Sequence, residues 1–287
     1  MNRNDDNLQL FHQRTIGELL GVPLDFLRHY RRLWLLYVAL PLLPLSLLLA
    51  FIDSPQNDTE GVNVWAQLMG FDFDMGESLF SVEMLVVALS IAFVLWTVHT
   101  LLRFTRFSSE GVPPHTLIRS ILRQSLLKLA VLFVLASLML CLLNVSTGWA
   151  FLLIFLFLPI ACFPSSWFLD DTHVGESMAR MLTVGVRQWP QMVVILFVMG
   201  TMVFMLRGVV HVPALLIEQS VNVLTMADER PEGWLLFLQF LSTMLSWWAF
   251  FLGYSILVIA LAYVYGDGVE RVHNVSLTDK INQFENL

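Results

Sequence analysis

Residues 234–265 read WLLFLQFLSTMLSWWAFFLGYSILVIALAYVY, a stretch without a charged side chain. A helix crosses the roughly 30 Å hydrocarbon core of a bilayer with about 20 apolar residues, so this stretch predicts a span that is long enough to tilt or to project into water. The whole chain agrees, because 57% of its residues are hydrophobic, 14% are charged and the mean hydropathy is +0.70. This composition excludes an ordinary soluble domain.

Five further apolar stretches have the length of a span. The six predicted spans lie near residues 33–52, 82–103, 129–146, 149–169, 191–211 and 234–265. The predicted fold is an all-α, polytopic bundle of six transmembrane helices that forms one membrane domain over residues 1–287. An N-terminal segment, 1–32, precedes the spans and a C-terminal tail, 266–287, follows them. Pro41 and Pro44 in the first span predict a bend there, and the fourth span also contains two prolines.

Basic residues predict the orientation of the chain. Fourteen of the sixteen Lys and Arg residues fall on one side of the predicted bilayer, and only Arg207 and Arg230 fall on the other. Positively charged segments stay in the cytoplasm during insertion, so we expect both termini to be cytoplasmic. Acidic residues dominate the outer loops. These loops are either ordinary solvated segments or a surface that attracts cations or a basic partner.

Three amphipathic segments precede spans one, three and five. They cover residues 15–32, 115–128 and 174–189, and we expect them to lie along the cytoplasmic membrane surface. Thr15 and Glu18 have the spacing of a capping box at the start of the first segment. In the third, Met178, Met181 and Leu182 are predicted to line one face. The candidate lipid-headgroup contacts in these segments are Arg28, Arg31, Arg32, Arg119, Arg123, Arg180 and Arg187.

This pattern indicates a threefold internal repeat of an interfacial helix followed by a membrane hairpin, over residues 15–103, 114–169 and 173–265. The alternative is three ordinary amphipathic linkers. In the last span, small residues recur at spacings of three, four or seven, which predicts a strip that packs against other helices. The strip consists of Ser242, Ser246, Ala249, Gly253 and Ala260.

Ionisable residues are scarce within the spans. No Asp, Glu, Lys or Arg is predicted in the middle of a span, which argues against an ion-coupled transporter. His99 is interpreted either as a polar residue that reaches the inner interface or as a pH-sensitive gate. At the outer end of span five, Arg207, His211 and Glu218 are candidates for a small ionic cluster.

Catalytic and metal-binding motifs are absent from the sequence. It contains no Walker loop, HExxH, GxSxG or Rossmann glycine motif, and Cys141 and Cys162 fall inside predicted spans. Asp170 and Asp171 precede the third amphipathic segment and are interpreted as its N-terminal caps. We therefore expect a non-enzyme without cofactor, metal or nucleic-acid partner.

The segment VGESMARMLTVGVRQWPQMVVILFV (174–198) and the C-terminal YVYGDGVERVHNVSLTDKINQF (263–284) resemble elements of uncharacterised six-helix bacterial inner-membrane proteins. These are similar to the membrane domain attached to some glycerophosphodiester phosphodiesterases. The resemblance implies the fold, a location in the bacterial inner membrane and an acidic-glycine turn after the last span, and it contributes no catalytic residue.

Two functional hypotheses follow. The first is a non-enzymatic membrane subunit or scaffold that organises protein partners or lipids, with a homo-oligomer left open. The second is a permease or a transporter of lipids or small molecules. The prolines in the spans and the acidic outer face favour this hypothesis.

Overall fold

A computed structural model of the chain describes residues 10–52, 82–107, 114–145, 160–170, 173–226 and 233–273. Every regular element in these ranges is a helix. In chain order the elements are α1 (Ile16–Trp34), a π-helical segment (Leu35–Ala39), α2 (Leu40–Ile52), α3 (Val82–Phe107), α4 (Pro114–Gln124), α5 (Leu126–Val145), α6 (Ile160–Leu169), α7 (Val174–Arg187), α8 (Trp189–Met226) and α9 (Gly233–His273).

Four helical units are long and apolar enough to cross a bilayer, which identifies an all-helical membrane protein. These units are Ile16–Ile52, Val82–Thr105, Trp189–Ile217 and Gly233–Val272. Helices α4 and α5, bent by 57° where they meet, make a fifth if the pair counts as one span. The predicted span near 149–169 is described only from Ile160 onward. The number of six spans and the threefold repeat therefore stay predictions.

The first helical unit shows how local sequence sets its shape. The capping box is confirmed, because the Thr15 hydroxyl accepts from the Glu18 N–H while the Glu18 carboxylate accepts from the Thr15 N–H. The helix then kinks at Tyr30, whose φ and ψ are −104° and 21°. The π-helical segment follows and ends with the Leu40 N–H bonded to the Leu35 carbonyl, one residue before Pro41, which has no N–H to donate.

Helix α9 is the centre of the bundle and packs against α8, α1, α2 and α3. It pairs most extensively with α8, and both helices extend beyond the predicted spans, to Met226 and His273. The strip of small residues lies in these contacts. Ser246, Ala249, Gly253 and Ala260 are buried, and Ser242 is half-buried. A Cβ on Gly253 would lie 3.1 Å from Val203 Cγ1, so this glycine brings the α8 and α9 backbones close together.

Two tryptophans fix the position of the first helical unit, Ile16–Ile52, along α9. The Trp34 indole donates to the Ser255 hydroxyl at 3.1 Å, and the Trp248 indole donates to the Ala39 carbonyl at 2.9 Å. The second bond gives a partner to a carbonyl in the irregular π-helical segment. Trp247 and Trp248 thus contact neighbouring side chains and backbone within the protein.

Candidate functional site: the basic end of the bundle

A buried carboxylate joins three parts of the chain at one end of the bundle. Asp267, in the last turns of α9, is fully buried. Its Oδ1 accepts the Arg14 backbone N–H at 2.7 Å, and its Oδ2 lies 2.8 Å from Arg271 Nε and 3.4 Å from Gln188 Nε2. Gln188 sits between α7 and α8. The carboxylate therefore ties the N-terminal strap, defined here as residues 10–15, to α7, α8 and α9, and we call this the Asp267 junction.

Two glycines flank Asp267 and permit this packing. A Cβ on Gly266 would lie 2.2 Å from the Leu10 carbonyl oxygen, and one on Gly268 would lie 2.6 Å from Val184 Cγ1. The Gly-Asp-Gly triplet is helical, so the expectation of a turn at these residues is wrong. The glycines allow the strap and α7 to pack closely against α9, and they do not change the direction of the chain.

Arg14 completes the junction. Its guanidinium lies 5.0 Å from the centre of the Tyr263 ring, and its backbone carbonyl accepts from Arg271 Nη2 at 2.9 Å. Burial lowers the pKa of the Arg14 guanidinium, while Tyr263 and the Asp267 carboxylate act in the opposite direction. The strap is therefore held by a backbone hydrogen bond to Asp267, by a cation–π contact with Tyr263 and by the hydrogen bond from Arg271 to the Arg14 carbonyl.

A second carboxylate fixes α7 against α9. Asp170 Oδ2 accepts the Tyr265 hydroxyl at 2.5 Å and lies 3.2 Å from Arg180 Nη1. Arg180 also pairs with Glu176 at 2.7 Å. Partial burial alone would lower the pKa of the Arg180 guanidinium, but Asp170 and then Glu176 raise it. The interpretation of Asp170 as a helix cap is wrong: the N-cap position of α7 is His173, without a side-chain cap. Asp171 lies outside the described residues.

Helix α7 has three faces rather than two. The face packed on the protein consists of Ser177, Met181, Val184 and Gly185. A second, apolar face is solvent-accessible in the isolated chain and consists of Val174, Met178, Leu182 and Val186. The third face is polar and consists of Glu176, Arg180, Thr183 and Arg187. Met181 thus points into the protein while Met178 and Leu182 point away from it, which corrects the single predicted face.

The predicted headgroup arginines are mostly accessible. Arg31 and Arg32 line a groove of about 210 Å³ at the Tyr30 kink, and Arg119 and Arg123 line one of about 360 Å³ on α4. The Arg28 side chain is 83% exposed and lies 3.7 Å from Asp25. The third amphipathic segment differs, because Arg187 is exposed and Arg180 is engaged by Asp170. We call α1, α4 and α7 with these arginines the basic collar.

His99 lies in a buried polar pair. Its Nδ1 is 2.7 Å from the Leu95 carbonyl oxygen and its Nε2 is 3.0 Å from the Ser165 hydroxyl. A neutral imidazole fits both contacts if Nδ1 donates and Nε2 accepts. Its exposed fraction is 1%, and its hydrogen bond with Ser165 connects α3 to α6.

Arg207 is the functional candidate whose environment the sequence pattern predicts least well. It lies at the midpoint of α8, because that helix continues to Met226, and it is 4% exposed. The expectation that no charged residue occupies the middle of a span stays a prediction, because Arg207 lies near the end of the predicted span 191–211 and in the second half of the apolar unit Trp189–Ile217. His211 lies one turn further along α8, and the side chain of Glu218 is outside the described residues.

The described residues contain no group of three or more His, Cys, Asp or Glu side chains that could hold a metal ion. The fold and the basic end define a multi-pass helical membrane protein. No protein-family model, curated protein or solved structure matches the chain. The resemblance to phosphodiesterase-linked membrane domains stays a prediction.

Proposed function

We propose that the chain is a non-enzymatic integral membrane subunit or scaffold that organises lipids or protein partners through its basic collar. In this proposal it has six spans, lies in the bacterial inner membrane and keeps both termini in the cytoplasm. The resemblance described above supplies the location, and the distribution of basic residues supplies the orientation.

The observation behind the proposal is the three-faced helix α7. A helix at the junction of protein, lipid and water needs one face for each environment, and α7 presents a packed, an apolar and a polar face. The Asp170 and Asp267 contacts hold the adjoining α7–α8 joint in place. The collar thus presents accessible arginines, with α7 held in place, which suits recognition of anionic headgroups or of an acidic partner surface.

The repeat is part of this proposal. Helix α1 buries Leu19, Val22, Pro23 and Phe26 and presents Ile16 and Leu24 on an accessible apolar face. Successive residues of a helix are rotated by about 100° around its axis. Viewed along the axis, α1 and α7 have their apolar, polar and packed faces in the same order. Each is also followed by a long apolar helix. The shared order supports two copies of one building unit, with α4 and α5 as the third.

The test extracts the full chain from its native membrane directly into lipid nanodiscs. We expect protein density on the basic collar, or enrichment of anionic lipid over the bulk membrane, in cryo-EM maps and lipid mass spectrometry. The variant Arg31→Gln with Arg32→Gln should reduce either signal, whereas Arg230→Gln, on the opposite side by sequence, should not. Recovery of the chain alone with lipid of bulk composition would contradict the scaffold.

A transporter is the second candidate, because one helix is broken. The π-helical segment and two prolines interrupt the first apolar unit, and broken helices line substrate paths in many transporters. Liposomes that contain the chain and a fluorescent phospholipid would report lipid transfer between leaflets. Transfer that is faster than in empty liposomes and that is lost in Pro41→Ala with Pro44→Ala would favour this function over the scaffold.

A further inference from the structure

The groove on α4 collects polar side chains from successive turns of one helix. Its volume is about 360 Å³, and it is lined by Thr116, Arg119, Ser120, Arg123 and Gln124. Arg119 and Arg123 are exposed and lie four positions apart, so their Cβ atoms are about 5–6 Å from each other on one helical face. Both guanidinium groups therefore reach one small ligand in this groove.

The charge of the α4 groove has no acidic counterpart in the surrounding sequence. Residues 111–169 contain Arg119, Arg123 and Lys128 but no Asp or Glu. Lys128 is engaged elsewhere, because its Nζ donates to the Trp167 carbonyl at 2.7 Å. Among the described residues, no carboxylate forms an ion pair with Arg119 or Arg123. The two guanidinium groups thus give the groove a charge of about +2, since arginine stays protonated in proteins.

The other two helices of the basic collar lack this combination. Helix α1 has acidic residues of its own, and Arg28 lies 3.7 Å from Asp25. The arginines that line its groove, Arg31 and Arg32, are neighbours in sequence and point about 100° apart around the helix. On α7, Arg180 is held by two carboxylates. In the part of the chain that the structure describes, α4 is therefore the collar helix best suited to one compact anion.

The helical spacing of α4 continues into α5. The two helices are bent by 57° where they meet. Backbone hydrogen bonds nevertheless run through the bend, because the Ser125 N–H donates to the Ile121 carbonyl and the Leu129 N–H donates to the Ser125 carbonyl. Residues three or four apart across the bend thus remain neighbours on one side of the chain.

An apolar strip on α5 follows the polar groove at this spacing. It begins at Leu127, four positions after Arg123, and Leu127 is 77% exposed. The members of the strip are apolar, recur at spacings of three or four and are all exposed: Leu127, Ala130, Val134 and Leu138. A ligand that joins an anionic group to an alkyl chain matches the groove and the strip together.

We infer that the α4 groove binds the phosphate monoester of an anionic phospholipid, whose acyl chains lie along the α5 strip. A phosphate monoester has a charge of about −1.5 to −2 at pH 7 and three acceptor oxygens, which matches two guanidinium groups. The Ser120 hydroxyl and the Gln124 amide line the groove as further donors. Phosphatidic acid has this headgroup. The inference rests on the proposed function, since it assigns one lipid class to one helix of the basic collar.

A phosphate diester is a poorer match for the same groove. The phosphate of phosphatidylglycerol has a single negative charge and two unesterified oxygens, so it balances only one of the two guanidinium groups. Phosphatidylcholine is neutral overall, because its choline group is a cation. The site should therefore distinguish these three lipids when their acyl chains are identical.

The experiment is native mass spectrometry of the purified full chain in detergent. Phosphatidic acid, phosphatidylglycerol and phosphatidylcholine with the same acyl chains are added in separate titrations. We expect the first phosphatidic acid to bind about tenfold more tightly than phosphatidylglycerol, which equals about 1.4 kcal/mol, and phosphatidylcholine to bind most weakly. Glycerol 3-phosphate has the same phosphate monoester without acyl chains, and at equal concentration it should not displace the bound lipid.

The variant Arg119→Gln with Arg123→Gln should lose the preference for phosphatidic acid over phosphatidylglycerol. The matched control is Arg31→Gln with Arg32→Gln, which removes the same charge from the other groove of the collar and should keep the tenfold preference. If the first double variant does not fold, Arg119→Gln and Arg123→Gln are measured singly, and each should reduce the preference.

The inference is overturned if phosphatidic acid and phosphatidylglycerol bind alike or if the two double variants respond alike. The scaffold would then remain supported wherever anionic lipid is enriched or a partner is bound in nanodiscs. Loss of the preference only in Arg31→Gln with Arg32→Gln would assign the binding to α1 and also overturn the inference. Displacement by glycerol 3-phosphate at equal concentration would overturn the assignment to a lipid, because a soluble phosphate monoester would then suffice.

Discussion

The backbone N–H of Arg14 and the carboxylate of Asp267 meet at 2.7 Å, although 253 positions separate the two residues in sequence. The bond joins Arg14, two positions before the start of α1, to the final turns of α9. It closes the bundle at its basic end and holds the strap over α9. The buried Asp267 carboxylate therefore contributes to the stability of this end together with Asp170.

Replacement of Asp267 by Ala should destabilise the protein by about 3 kcal/mol, because it leaves the Arg14 N–H and the Arg271 Nε–H without the carboxylate that accepts from them. Thermal unfolding in detergent measures the change. Asp25→Ala is the control, since Asp25 forms an exposed pair with Arg28 and should cost less than about 0.5 kcal/mol. Equal effects of both substitutions would show that the junction does not stabilise the bundle.

The substitution Gly266→Ala should displace the strap, because its Cβ would lie 2.2 Å from the Leu10 carbonyl oxygen. We expect faster proteolysis at the N-terminus and a cost of about 1–3 kcal/mol. Gly200→Ala in α8 is the matched control, because nothing lies within 4 Å of its added Cβ. This substitution should stabilise the folded protein by up to about 1 kcal/mol. An unchanged proteolysis pattern in Gly266→Ala would contradict close packing of the strap.

A double-mutant cycle tests the bond between Asp170 and Tyr265. Asp170→Asn, Tyr265→Phe and the double variant should give a coupling energy of about 1.5–3 kcal/mol, since a hydroxyl that donates to a buried carboxylate makes a charge-assisted bond. The measurement is thermal or denaturant unfolding of all four proteins. A coupling energy below about 0.5 kcal/mol would mean that the two groups do not stabilise each other.

Spin labels on α7 test its three faces. A label at Leu182→Cys should collide with oxygen dissolved in lipid, and a label at the neighbouring Thr183→Cys should collide with a water-soluble nickel chelate. Met181→Cys, on the packed face, should be poorly accessible to both. Electron paramagnetic resonance saturation gives the accessibilities. Preference of Leu182→Cys for the nickel chelate would place this face in water and exclude an interfacial helix.

The sequence predicted the helical class, several apolar helices and the capped start of α1, because each depends on residues near one another in the chain. An uncharged stretch of sufficient length is apolar whatever its neighbours are, and Thr15 meets Glu18 within one helical turn. Small residues at helical spacing in α9 were likewise enough to predict a packing strip, which the structure places against α8.

Only the tertiary structure decided the role of Asp267, the orientation of α7 and the surroundings of Arg207. A hydrophobic pattern does not distinguish a face that packs on protein from one that meets lipid, so Met181 and Leu182 looked equivalent. Asp267 and Arg207 depend on contacts with distant segments, such as Arg14 and Trp247. Local periodicity contains no information about such contacts, because the folded bundle alone brings those residues together.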